Sequence, residues 1–181
     1  MNCNAVTLSS IDSRCDTSFG GIKEVLVGLK DDVKTISVDS ATGMINTLEL
    51  NTGKKMEKFL FRKNTGSYTS TVSSDPTIGN SFATTEVTLQ FSKAEATKRL
   101  AIQSAINASS VVIVRDMYDQ YLLLGYENEV VVSAATMQSG TQAADLSGFT
   151  LTFQDIATEL PHFIDTSSVT IDNLLVAAAG A

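Results

Sequence analysis

His162 is the only histidine in this chain of 181 residues, and it follows Pro161 near the end of the patterned sequence. A Ser–His–Asp device needs that imidazole beside an activated nucleophile, and no G-x-S-x-G elbow is present. A zinc site needs four donors. Cys3 and Cys15, with His162, give no recognisable ligand spacing. The two cysteines read as reduced thiols. Asp31-Asp32 and the group Asp116, Asp119, Glu127 and Glu129 carry oxygens suited to a hard cation, but no D-x-D-x-D-G loop orders them. They read as solvated surface charge. Gly20-Gly21 precedes a strand and not a helix, so it cannot cradle phosphate at a helix N-terminus. These residues predict no catalytic centre, no cofactor and no metal.

The elements around them point the same way. Charged residues make up 18% of the chain and hydrophobic residues 43%, so much of the polar surface must come from the 20 Ser and 21 Thr. Thr, Val and Ile favour strands because a branched Cβ packs well on a pleated surface. The net charge of −7 runs against a phosphate-binding surface. The polar N-terminal stretch gives no signal-peptide pattern, and no apolar run approaches the ~18 residues of a membrane helix. Synthesis in a cytoplasm is the expectation.

Alternation predicts short strands over 22–29, with Val25, Val27 and Leu29 on one face, and over 34–39, 45–50, 55–63 and 87–91. Turn signals stand at Ala41-Thr42-Gly43 and Asn51-Thr52-Gly53. Residues 64–85 are dominated by Ser, Thr, Gly and Asn, and form either a long loop or a projecting hairpin. Ser92-Lys93-Ala94-Glu95 reads as a capping box opening a helix at about 93–109, with Ile102, Ala105 and Ile106 on its inner face. Val111–Val114, 121–126, 130–135 and the alternating Phe149, Leu151 and Phe153 add further strands. The fold class is therefore α+β and mainly β: a sandwich or barrel with one flanking helix. The division is an N-terminal arm over 1–19, a β domain over 20–165 and a C-terminal extension over 166–181. The apolar run Leu174 to Ala181 reads either as a frayed terminus or, since it is costly to leave in water, as a strip that docks on a neighbouring subunit.

Five segments carry a family likeness: 20–33 (GGIKEVLVGLKDDV), 59–69 (FLFRKNTGSYT), 87–93 (VTLQFSK), 111–125 (VVIVRDMYDQYLLLG) and 143–153 (AADLSGFTLTF). Together they resemble tail-tube-type and tail-barrel ring proteins of tailed bacteriophages, most nearly those of Bacteroidetes phages in the crAss-like group. The likeness spans about 20–165. It implies a structural virion protein that forms hexameric or twelvefold rings around a lumen. DNA leaves through that lumen without being bound in a sequence-specific way. It also implies neighbours among tail, connector or portal-proximal virion proteins, with no membrane. Tyr68, Ile78 and Phe82 would be contacts of a projecting hairpin, and Leu174, Leu175 and Val176 contacts of the tail. Asp116, Asp119, Glu127 and Glu129 would be acidic groups facing the lumen. A head–tail connector or capsid-decorating subunit is the alternative within the same class of virion β-proteins.

Overall fold

The computed structural model describes residues 11, 19–75, 77, 79–142 and 144–175. Ile78, Val176, Cys3 and Cys15, and nearly all of the expected N-terminal arm, lie outside the described residues. In chain order the elements are β1 (Ile22–Leu29), β2 (Val33–Val38), β3 (Ile45–Leu50), β4 (Glu57–Phe59), β5 (Gly66–Asp75), β6 (Asn80–Ser92), α1 (Ala96–Ile106), β7 (Ser110–Asp116), β8 (Tyr121–Leu124), β9 (Val131–Gln138), β10 (Gly148–Ala157) and β11 (His162–Phe163). The described residues are mainly β with one α-helix.

Three antiparallel sheets result. A five-stranded sheet runs β11-β8-β7-β1-β4, a four-stranded sheet runs β5-β6-β10-β9, and β2 pairs with β3 alone. The five-stranded sheet is the middle layer, and both its faces are buried. Val25 and Val27 of β1, Val112 and Val114 of β7, and Leu122 and Leu124 of β8 face the four-stranded sheet. The alternate residues Leu26, Val111, Ile113 and Leu123 face the β2–β3 hairpin and the C-terminal segment. A strand buried on both faces has no need of polar alternation. That explains the uninterrupted VVIV and LLL runs. A register shift between Ile22 and Glu24 breaks the alternation, so that Ile22 joins Val25 in the first core. Leu29 leaves the inner face and is 46% exposed, because the chain turns there into a 3-10 segment at Lys30–Asp32.

The first core is completed by Val87 and Leu89 of β6, by Phe149, Leu151 and Phe153 of β10, and by Ile102 of α1. Phe59 stands edge-on to Phe91, with ring centroids 6.1 Å apart, and lies 6.2 Å from Phe153. The second core brings Ile45, Leu48 and Met56 against Ile164, Val169, Ile171 and Leu174. The boundary expected after Asp165 therefore does not separate an appendage. Residues 164–174 strap the second core, tied by the Asp165 N–H to the Ile45 carbonyl (2.9 Å) and by the Met56 N–H to the Leu174 carbonyl (2.7 Å).

The helix differs from its expected opening. Ser92 is the last residue of β6, paired with Gly148, and lies three residues before the observed N-cap, so it does not cap the helix. Lys93 takes a positive φ of 67°, and the helix begins at Ala96 with Glu95 at the N-cap and no side-chain cap. Glu95 pairs instead with Lys93 and Lys98. Only Ile102 and Ala105 of α1 are buried, while Ile106 is exposed. The strand expected over 55–63 shrinks to three residues, because a turn at 62–65, with Asn64 at φ 63°, redirects the chain.

Candidate assembly surface

The Ser/Thr-rich stretch of 64–85 is a hairpin. β5 pairs with β6 from Gly66 opposite Leu89 to Asp75 opposite Asn80. β10 covers β6 only as far as Ala83, which lies opposite Ala157. Beyond that point Ser73–Asp75 and Asn80–Phe82 form a two-stranded tip reaching roughly 10 Å past the third strand, at about 3.4 Å per residue, and Val72 stands at its base. Asp75 stabilises the turn: its side chain accepts the Thr77 N–H at 2.8 Å, and its carbonyl accepts the Gly79 N–H at 2.9 Å. Gly79 has a φ of 69°, a conformation that costs glycine nothing. Cross-strand partners share a face, so Val72, opposite Ala83, and Phe82, opposite Ser73, point to opposite sides of the ribbon. Val72 is 53% and Phe82 39% exposed. Two exposed apolar side chains on a polar ribbon suit a contact made outside this chain.

The four-stranded sheet ends in β5 and β9, and neither has a second strand partner among the described residues. Such edges present unpaired backbone groups and invite strand addition. The outer face of this sheet is polar and nearly uncharged. Thr88 and Thr152 are hydroxyl-bonded at 3.2 Å, and the Gln154 amide donates to Glu86 at 3.0 Å.

The residues read from sequence are dispersed. Tyr68 is half-buried against the first core, and burial raises its pKa. Phe82 is at the hairpin tip. Leu174 is 5% exposed inside its own chain's second core, and Leu175 packs beside it, so the tail contact expected between subunits is here an intrachain one. The four carboxylates do not form one cluster, because the β7–β8 pair separates them to its two ends. At one end the Asp116 side chain accepts the Tyr118 and Gln120 N–H groups, both at 2.8 Å, and Asp119 pairs with Lys23 at 2.5 Å and Arg115 at 2.7 Å. The Lys23 hydrogen bond, then Arg115, holds the Asp119 carboxyl below its usual range. At the other end Glu127 accepts the Thr158 N–H at 2.7 Å and its hydroxyl at 2.5 Å, which lowers the Glu127 pKa, while Glu129 is exposed. His162 pins β11 to the β2–β3 turn, its Nδ1 donating to the Gly43 carbonyl at 2.9 Å and its ring standing edge-on to Tyr126. Among the described residues no three His, Cys, Asp or Glu side chains gather in a metal-binding arrangement. No described helix is long and apolar enough to cross a membrane.

Sequence reasoning missed Asp155, one of four buried polar residues among those described, with Glu24, Thr85 and Ser110. Asp155 is 4% exposed at the rim of the first core. Its Oδ2 accepts the Gly125 N–H at 3.0 Å, and its Oδ1 has no hydrogen-bond partner among the described residues. Lys30 holds the same loop from the other side, donating to the Gly125 and Tyr126 carbonyls. The signal was present, because the alternation that turns Phe149, Leu151 and Phe153 inward also turns Asp155 inward. Burial pushes its carboxyl above the usual range, against the opposing pull of Gly125 and Lys30. Burial likewise lowers the Lys30 pKa.

No family model matches the chain, and no curated protein matches it. Among solved structures, a chain described as "Virion of native gene transfer agent (GTA) particle" is similar over 75% of this chain and 98% of its own length. The TM-score is 0.35 and the identity 9%. At that level the likeness speaks to neither family nor function.

Proposed function

We propose that this chain is a non-catalytic structural protein of a phage virion, assembling with copies of itself into rings of a tail tube or short-tail barrel around the DNA-ejection channel. The observation that carries the reading is the β5–β6 tip, a polar hairpin standing clear of its sheet with Phe82 exposed on it and Val72 exposed at its base. The open edges of β5 and β9 and the likeness of the five sequence segments to tail-tube-type proteins support it. A subunit with one patch here and a complementary patch elsewhere forms heterologous contacts, which close into a ring when the rotation closes. The acidic balance of the chain suits a channel that DNA must pass without sticking. In the virion the ring would stack on further tail, connector or portal-proximal proteins.

The test is the mass of the purified chain in solution together with negative-stain imaging. Annular particles or tubes with a central hole are expected. A monomer that also fails to join tail-less particles would sink the reading. Trimers that bind capsid shells would replace it with a decorating subunit.

A further inference from the structure

The C-terminal strap ends against an open edge of the five-stranded sheet. β4 is that edge, paired with β1 on one side and without a second strand partner among the described residues. Pairing on its other side begins one residue before β4. Met56 and Leu175 form a parallel bridge, and the Met56 N–H donates to the Leu174 carbonyl at 2.7 Å. The Lys55 ammonium donates to the Asn173 carbonyl beside it. The strap therefore runs alongside the start of β4 and in the same direction.

That bridge fixes a register for whatever follows. Along a strand, N–H groups that face one neighbour recur at every second residue. The Met56 N–H faces the strap, so the Lys58 N–H faces the same way. Bridge partners share a face of the sheet, and Leu175 packs with Met56 in the second core. Positions 176 and 178 in the same register take the other face, that of Glu57 and Phe59.

That other face borders an open hollow. Two adjoining depressions between β4 and α1 share Glu57, Phe59 and Ala101. Leu29 and Leu60 are exposed on their walls. The lysines of the walls are answered inside the chain. Lys58 pairs with Glu24 at 2.5 Å, Lys98 pairs with Glu95 at 3.4 Å, and Lys55 is held by Asn173. An occupant needs apolar contact and backbone pairing there, not charge. Residues 176–181 are Val-Ala-Ala-Ala-Gly-Ala and carry no charged side chain. At about 3.3 Å per residue six residues span roughly 20 Å, more than the three residues of β4 require.

We infer that residues 176–181 continue the strap of their own chain as a sixth strand, parallel to β4, and close that edge of the sheet. The Lys58 N–H donates to the Val176 carbonyl, and the Ala178 N–H donates to the Lys58 carbonyl. Val176 and Ala178 lie over the hollow against Phe59 and Ala101. The occupant is the chain's own segment because the Met56–Leu175 bridge delivers it to the edge already in register. A covered β4 leaves strand addition by other copies to β5 and β9. The inference does not rest on the assembly reading.

Amide exchange of the whole chain, followed residue by residue by NMR, tests it. Corrected for intrinsic rate, the Lys58 amide exchanges about tenfold or more slowly than the exposed turn amide of Gly53, and equally so at every protein concentration. Two proline variants read the register. Ala178→Pro removes the N–H that faces the Lys58 carbonyl, and brings Lys58 exchange up to that of the turn. Ala177→Pro removes an N–H that points away from β4, which an edge strand tolerates, and leaves Lys58 protected. Neither substitution touches the two described cores, so β6 and β10 keep their protection in both. A parent Lys58 amide as fast as the turn, or two proline variants that behave alike, overturns the inference. Protection that appears only as the protein concentration rises also overturns it, and assigns the edge to a second copy. The assembly reading is decided separately, by the mass of the chain in solution.

Discussion

The two cores on either face of the five-stranded sheet are built from different materials. The first lies between two sheets, and its members come from long strands paired along their whole length, such as β6 and β10. The second has a sheet on one side only. On the other it has a two-stranded hairpin and a strap, residues 164–174, which joins no sheet beyond single bridges at Ile45 and Met56. Backbone pairing and side-chain burial reinforce each other in the first core. In the second, a few buried side chains hold a segment with little ladder of its own. Segments with few backbone partners open at lower free-energy cost. The comparison predicts a molecule whose sandwich is its cooperative unit and whose strap opens first.

Four measurements would break or sharpen that contrast. Phe153 is fully buried between the two sheets and packed beside Phe59, so Phe153→Ala should cost about 3–5 kcal/mol in urea unfolding and lower amide protection in both sheets together. Leu174→Ala should cost less, about 2–3 kcal/mol, and its signature is local. Amides at 164–175 and at Met56 should exchange faster while β6 and β10 keep their protection. Equal loss of protection everywhere would mean that the two cores form one unit.

The third measurement concerns the polar breach in the first core. The Asp155 carboxyl is raised by burial, so the folded state holds its proton more tightly than the unfolded chain does. The associated stability is complete below the ordinary carboxylate range and is lost as the pH rises through the raised value. Asp155→Asn abolishes that titration and keeps an oxygen for the Gly125 N–H. The variant should therefore have the higher urea midpoint at about pH 8, and the gap should close toward about pH 4. A gap that widens on acidification would show instead that the Lys30 attraction outweighs burial. The smallest effect on folding is expected outside both cores. Phe82→Ser should leave stability within about 0.5 kcal/mol, yet weaken self-association if the hairpin tip is a contact.

Much of the fold was legible in the residues. Val87, Leu89 and Phe91, and Phe149, Leu151 and Phe153, alternate as a strand with one buried face must, and they pair register for register in β6 and β10. The Ser/Thr stretch near 64–85 was legible as a loop or hairpin, and Asp75 and Gly79 supply the chemistry of its turn. The helix opening was not legible, because a Ser–x–x–Glu pattern is a cap only if the residue after the serine turns helical, and Lys93 takes a positive φ instead. The strap had no period to announce it. Val169, Ile171 and Leu174 are buried around a 3-10 turn and not by a repeat. Among the proposed contact residues, Phe82 stands out because it is apolar in a polar stretch. Leu174 reads as an outside contact because an apolar run cannot say which surface will cover it.

The sequence by itself determined that this chain builds strands, that one short helix interrupts them, and that one stretch would be polar and turn-rich. Those properties follow from side-chain shape and local periodicity, which act over a few residues. Only the tertiary structure decided which faces are doubly buried, which carboxylates are separated by a strand pair, and that the C-terminal strap closes a core. These outcomes depend on contacts between residues as far apart as Met56 and Leu174. The free energy of burying a side chain depends on what arrives to cover it, and that is a property of the folded chain as a whole.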